Sequence, residues 1–143
     1  MRSVTLALLM WIVCRAAAQG TATLEVEVTL NKAAGGQLML MLCPDSASYE
    51  AEEGCHLQKA DAVGTVVKLA FTGLKPGTYA LRAVHDINAN GDIDVNKLGL
   101  PIEPFAFSND AMGRMGPPGF NEATFAVRAG ANSIKVKMRG GSK

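Results

Sequence analysis

The chain has 143 residues, a formal net charge of +1, 19% charged residues and 6% aromatic residues. That length suits one domain around a single core. A near-balanced charge with no Lys/Arg cluster excludes the electrostatic footprint of a nucleic-acid binder or an anionic-membrane binder.

Residues 1–18 read as a cleaved signal peptide. Arg2 precedes an apolar run at 4–14, about 11 residues, against the roughly 20 needed to cross a hydrocarbon layer. Ala16, Ala17 and Ala18 supply the small residues that a signal peptidase reads, which places cleavage after Ala18. A lipoprotein signal is the rival because Cys14 ends the run, although Val13 and Arg15 flank it poorly for that purpose. Cleavage removes Arg2 and Arg15, leaving 12 basic against 13 acidic residues and a net charge near −1. No second apolar run reaches membrane length. Residues 19–143, with a core at 22–139, are therefore expected to form one periplasmic or secreted domain without membrane insertion after cleavage.

The expected strands follow in order. Residues 23–30 alternate strictly, with Leu24, Val26, Val28 and Leu30 on one side and Thr23, Glu25, Glu27 and Thr29 on the other. Period two with β-branched residues predicts a strand with one wet face. Residues 37–43 are apolar almost throughout and enter through Gly35-Gly36, which favours a central strand over a short buried helix. Cys43 and Cys55 flank a polar segment that reads as a loop. An even pair in an oxidising compartment implies a disulfide. A zinc site using His56 and a redox pair are the alternatives, but neither spacing is typical.

Residues 65–71 predict the next strand, and Lys75-Pro76-Gly77 supplies turn chemistry before extended alternation resumes at 78–85. Near the other end, residues 123–128 and 133–138 predict a closing hairpin around 129–132, with Ile134, Val136 and Met138 facing in. Residues 140–143 are expected to fray. Short strands, turn signals and no amphipathic helix point to an all-β sandwich or partial barrel.

Two stretches carry candidate chemistry. In Asp86-Ile87-Asn88-Ala89-Asn90-Gly91-Asp92-Ile93-Asp94, oxygen-bearing side chains recur at every second position and Gly is sixth. This matches the first half of an EF-hand-type calcium loop, with Asp92 offering its carbonyl and Asp94 the ninth position. Lys97 stands where a bidentate Glu belongs, so Glu103 is nominated as the replacement. Three Asp carboxylates in nine residues repel one another without a cation, which favours calcium. The alternative is a plain Asn90-Gly91 turn whose Asx side chains cap the backbone.

The second stretch, 98–120, is long for a connection without its own pattern. Phe105, Phe107, Ser108, Asn109 and Phe120 there form a possible binding loop, or the Phe residues merely anchor it to the fold. Enzyme readings are weak: His85 beside Asp86 reads as an end-of-strand His making ordinary hydrogen bonds rather than as half of an acid/base pair, and Ser108 lies in no nucleophile motif. No catalytic residues are expected.

The chain also resembles the bacterial exported family known as domain of unknown function 2141. The resemblance rests on Gly77-Thr78-Tyr79-Ala80, His85-Asp86, Asn88, Asn90-Gly91, Asp94 and Leu98-Gly99-Leu100-Pro101. It continues through Glu103, Phe107-Ser108-Asn109, Gly116-Pro117-Pro118, Phe120 and Glu122-Ala123, and spans 22–139. Ile102 and Ala106 depart from the family pattern, where a basic residue and a Gly are expected. The resemblance implies an export signal and a β-sandwich and brings no established activity. More loosely, residues 74–79 resemble the corner turn of transthyretin-like and carboxypeptidase-regulatory-like domains.

The expectation is a Greek-key sandwich, Ig-like or transthyretin-like, that binds structural calcium and acts as an envelope-associated or secreted module toward an unidentified ligand or envelope protein. The alternative is a small hydrolase or carbohydrate-modifying enzyme using Asp86, His85 and Glu103. A purely structural adhesion-like domain would lack any pocket under the 98–120 loop.

Overall fold

A computed structural model describes residues 20–31 and 35–141. The expected signal segment at 1–18 lies outside the described residues. The alternating segment forms β1 (Ala22–Thr29), and the apolar run forms β2 (Gln37–Cys43). The polar stretch expected as a loop instead holds a short helix, α1 (Ser46–Ala51). Asp45 caps it by accepting the Ser48 N–H at 2.8 Å, and Tyr49, wholly buried, docks it. Next come β3 (His56–Asp61), β4 (Val66–Leu74), β5 (Gly77–Asp86) and β6 (Pro104–Phe107). A 3-10 turn at Ser108–Asp110, helix α2 (Phe120–Ala123), β7 (Thr124–Val127), β8 (Gly130–Lys137) and β9 (Arg139–Gly140) complete the chain.

The strands form two sheets. The smaller has the order β4-β1-β8, and the larger runs β3-β2-β5-β6-β9 with β7 also on β5. Leu24, Val26 and Val28 of the first sheet share one apolar core with Leu38, Leu40, Leu42, Leu81 and Ala83 of the second. The fold is all-β. On its outer side the smaller sheet is charged: Glu27 lies in register opposite both Lys68 and Lys135. Its carboxylate meets their ammonium groups at 3.6 and 3.2 Å. The Lys135 hydrogen bond, opposed by desolvation and helped by both lysine charges, holds the Glu27 carboxyl below its ordinary value.

Lys75 and Pro76 carry the chain from one sheet to the other. There the Tyr79 hydroxyl donates to the Lys75 carbonyl at 2.8 Å, pinning the corner. The expected closing hairpin is not formed. β7 pairs antiparallel with β5, whereas β8 crosses to the smaller sheet and pairs parallel with β1. Asn132 makes this possible. Its Oδ1 accepts the Arg128 N–H at 3.0 Å while its Nδ2 donates to the Arg128 and Gly130 carbonyls at 2.7 and 3.1 Å. Those bonds satisfy the turn backbone that a hairpin ladder would have used. Of the tail expected to fray at 140–143, Gly140 instead pairs in β9 with β6, and residues 142–143 lie outside the described residues.

Cys43 and Cys55 are disulfide-bonded, with Cα atoms 4.4 Å apart. The bridge joins the end of β2, beside Ala80 of β5, to the residue before β3 and so closes the segment that holds α1. Gly36 is required at the opposite end of the larger sheet. Its φ is +71°, and a Cβ there would lie 2.1 Å from the Asp86 carbonyl oxygen.

Candidate functional site

The Asp/Asn loop begins at the last residue of β5. Asp86 is wholly buried; its Oδ1 accepts the Asn90 N–H at 3.1 Å and its Oδ2 the Gly91 N–H at 2.8 Å. Asn88 Oδ1 shares the Asn90 N–H at 3.1 Å, and Asn90 Oδ1 accepts the Asp92 N–H at 2.9 Å. The side-chain amides of Asn88 and Asn90 converge on Asp94, donating to its carboxylate at 2.6 and 3.0 Å. Glu103, 4% exposed, straps the loop from outside by accepting the Ile87 and Asp94 N–H groups at 2.8 and 3.2 Å. Ala89 and Gly91 take the positive φ values, 55° and 88°, that this tight path requires.

The predicted ligand residues thus gather at one loop, with Glu103 bonded to it from the following segment and Asp92 joining through its N–H. Among the described residues no three His, Cys, Asp or Glu side chains stand close enough together to hold a metal ion. The donors are all oxygens, and both buried carboxylates have backbone N–H groups as their partners rather than a Lys or Arg. This donor chemistry fits a hard cation, and each carboxylate keeps lone pairs for one.

His85 and Asp86, adjacent on β5, point to opposite faces of the sheet. The wholly buried His85 ring turns inward, where Nε2 donates to the Gly35 carbonyl at 2.7 Å. The pair does not open into a common cleft.

A cleft of about 980 Å³ does open beneath the 98–120 segment, on the outer face of the larger sheet. Register fixes its floor as two rows across four strands. One row is Leu57, Met41, Arg82 and Phe107; the next is Lys59, Met39, Val84 and Phe105. Residues 91–93, 98–101 and 112–117 supply its walls, and Glu52 stands at its far end. Leu57, Leu98, Leu100, Met112 and Met115 are more than half exposed there. The end of the Asp/Asn loop is therefore also one wall of the cleft.

Arg82 couples the floor to α1. It pairs with Glu52, donates from Nη2 to the Tyr49 carbonyl at 2.7 Å and lies 3.9 Å over the Tyr49 ring. Of the five residues proposed for a binding loop, Phe105 and Phe107 line the cleft. Ser108 is buried and bonded to β5 and α2, Asn109 donates to the Thr124 carbonyl at 2.6 Å, and Phe120 packs edge-on against Tyr49. Sequence reading did not single out Met39, Met41, Leu57, Lys59, Arg82 or Arg114. The legible sign was a strand, β2, with Leu on one face and Met on the other where a solvent face would be polar.

Two sheets closed over one core, with the outer face of one left apolar and walled by loops, define an all-β protein with a candidate binding cleft. The chain belongs to the bacterial family described as "Uncharacterized protein conserved in bacteria (DUF2141)", whose pattern matches residues 26–135. No curated protein and no solved structure matches it.

Proposed function

We propose that this chain is an exported Greek-key β-sandwich module that binds an apolar ligand on the outer face of its larger sheet. In this reading a calcium ion in the 86–94 loop fixes one wall of the cleft. The observation that carries the reading is the cleft itself. A sheet face exposed to water normally alternates to polar residues, yet this one presents a leucine, two methionines, a valine and two phenylalanines around Lys59 and Arg82. A purely adhesive domain has no need of it. The Cys43–Cys55 disulfide supports an oxidising, exported setting. Calcium would be held by the oxygens of Asp86, Asn88, Asn90 and Asp94 and the Asp92 carbonyl, with Glu103 bracing the loop. The inward turn of His85 leaves the hydrolase alternative without an open His–carboxylate pair.

The test is titration of the purified chain with an uncharged fluorescent apolar dye, N-phenyl-1-naphthylamine, in calcium and in chelator. Saturable binding that Leu57→Glu weakens supports the cleft, and tighter binding in calcium supports its coupling to the loop. No saturable binding in either condition overturns the cleft reading. Equal affinity in both overturns the coupling.

A further inference from the structure

We infer that the cleft takes a free long-chain fatty acid, its carboxylate held at Lys59 and Arg114 and its alkyl chain laid along the methionines. This rests on the reading of the cleft as a ligand site and goes beyond it by assigning the ligand's charge and shape. The argument is one of charge complementarity. Lys59 and Arg82 interrupt an otherwise apolar floor, and Arg114 adds a third cation from the wall, against Glu52 and Asp92. Glu52 is already occupied by Arg82. Among the described residues, Lys59 and Arg114 enter no ion pair. An apolar hollow with a cationic excess discriminates against an amphipathic cation and favours an amphipathic anion.

Arg82 adds a second observation. Its Nε is buried without an acceptor, although both of its Nη groups are engaged. With Nε closed off and both Nη groups bonded, Arg82 adds its positive charge to the floor, and the free cationic donors for a carboxylate are Lys59 and Arg114. The apolar part of the site has the character an alkyl chain needs. Met39, Met41, Met112 and Met115 all line the cleft, and unbranched, polarizable thioethers adapt to a flexible chain. Loops wall the floor on more than one side, which suits a single chain rather than the flat surface of a bilayer.

The experiment uses the full disulfide-bonded chain at pH 8, with the dye displaced by laurate, 1-dodecanol or dodecylamine below their micelle thresholds. Laurate should compete at about tenfold lower concentration than the alcohol, the effect of one or two charge-assisted bonds, and the amine should compete least. Lys59→Glu combined with Arg114→Glu, both exposed positions, should erase the preference for laurate and leave dodecanol unchanged. Equal competition by laurate and dodecanol overturns the fatty-acid assignment while the apolar cleft stands. Preference for the amine also overturns it. Failure of the dye to bind removes both. Retention of the laurate preference in the double variant places the carboxylate elsewhere and overturns the assignment.

Discussion

The Ser108 hydroxyl oxygen accepts the Leu81 N–H at 2.9 Å, joining residues 27 positions apart. The same hydroxyl donates to the Ala123 carbonyl, so one buried side chain fastens the 3-10 turn to both β5 and α2. Removing the hydroxyl orphans a buried donor and a buried acceptor. Ser108→Ala should therefore cost about 1–3 kcal/mol, read from the midpoint of urea unfolding. An unchanged midpoint would show that water replaces both bonds.

The disulfide has a comparable structural role with a different origin. It closes a segment of 12-residue separation, and such a link acts largely by restricting the unfolded chain. Replacing both cysteines with serine should lower stability by about 2–3 kcal/mol. In native protein, an alkylating reagent without reductant should label neither Cys43 nor Cys55.

Calcium should raise the melting temperature. At free calcium about 100-fold above the dissociation constant, linkage adds roughly 2.7 kcal/mol. For a domain of this size that amounts to a shift on the order of 5 °C. Asp86→Ala removes a cap for two backbone N–H groups and destabilises with or without metal. Asp94→Asn is the milder variant, since it removes one half-buried charge and disturbs a single side-chain amide bond while both Asp86 caps stay. It should shrink the calcium-dependent shift, and Lys97→Ala should leave it intact. Superimposable melting curves in chelator and in millimolar calcium would leave the loop as a self-capped turn.

Glu27 gives a pH dependence with a definite sign. Its carboxyl lies below its ordinary value in the folded chain, chiefly through the Lys135 hydrogen bond. The unfolded chain therefore takes up that proton first as pH falls. The stabilisation is present above the unfolded value and is lost as pH drops through the folded one. Lys135→Met should move the Glu27 titration midpoint upward, observed by carbon NMR of the carboxyl group, and Lys68→Met should move it less.

Gly113 tests the wall of the cleft. A Cβ there would lie 1.8 Å from the Gly116 carbonyl oxygen, so Gly113→Ala must displace the 112–117 segment. Dye affinity should fall severalfold while the urea midpoint stays within about 0.5 kcal/mol, as expected for a change outside the core.

Much of this fold was legible because burial imposes periodicity. β1 alternates since only one side of the smaller sheet is dry, and Lys75-Pro76-Gly77 marked the corner into β5. β3 was invisible for the converse reason: His56–Asp61 is an edge strand with mostly exposed residues, so no apolar period marks it. The misread hairpin has a related cause. Periodicity reports that 124–127 and 133–137 are strands, but their partners, β5 and β1, lie far away in the sequence. The Asp/Asn loop was readable because its chemistry is contiguous. The cleft was not, because Leu57, Met41, Arg82 and Phe107 become one row only through strand register.

The parallel pairing of β8 with β1 sets an order of events. β1 is the middle strand of the smaller sheet, so one of its edges stays open until β8 arrives. Asn132 seals that seam by donating to the Thr23 carbonyl at 3.1 Å, across 109 positions of sequence. A chain emerging N-terminus first carries β1 through the whole of its passage with half of its hydrogen-bonding groups unmet. Closure of such a distant pair is slow. Truncating the last dozen or so residues would leave a protein with its larger sheet nearly complete and a sticky edge where β8 belongs. β8 thus works as a latch on the smaller sheet, since its arrival completes the ladder along the second edge of β1.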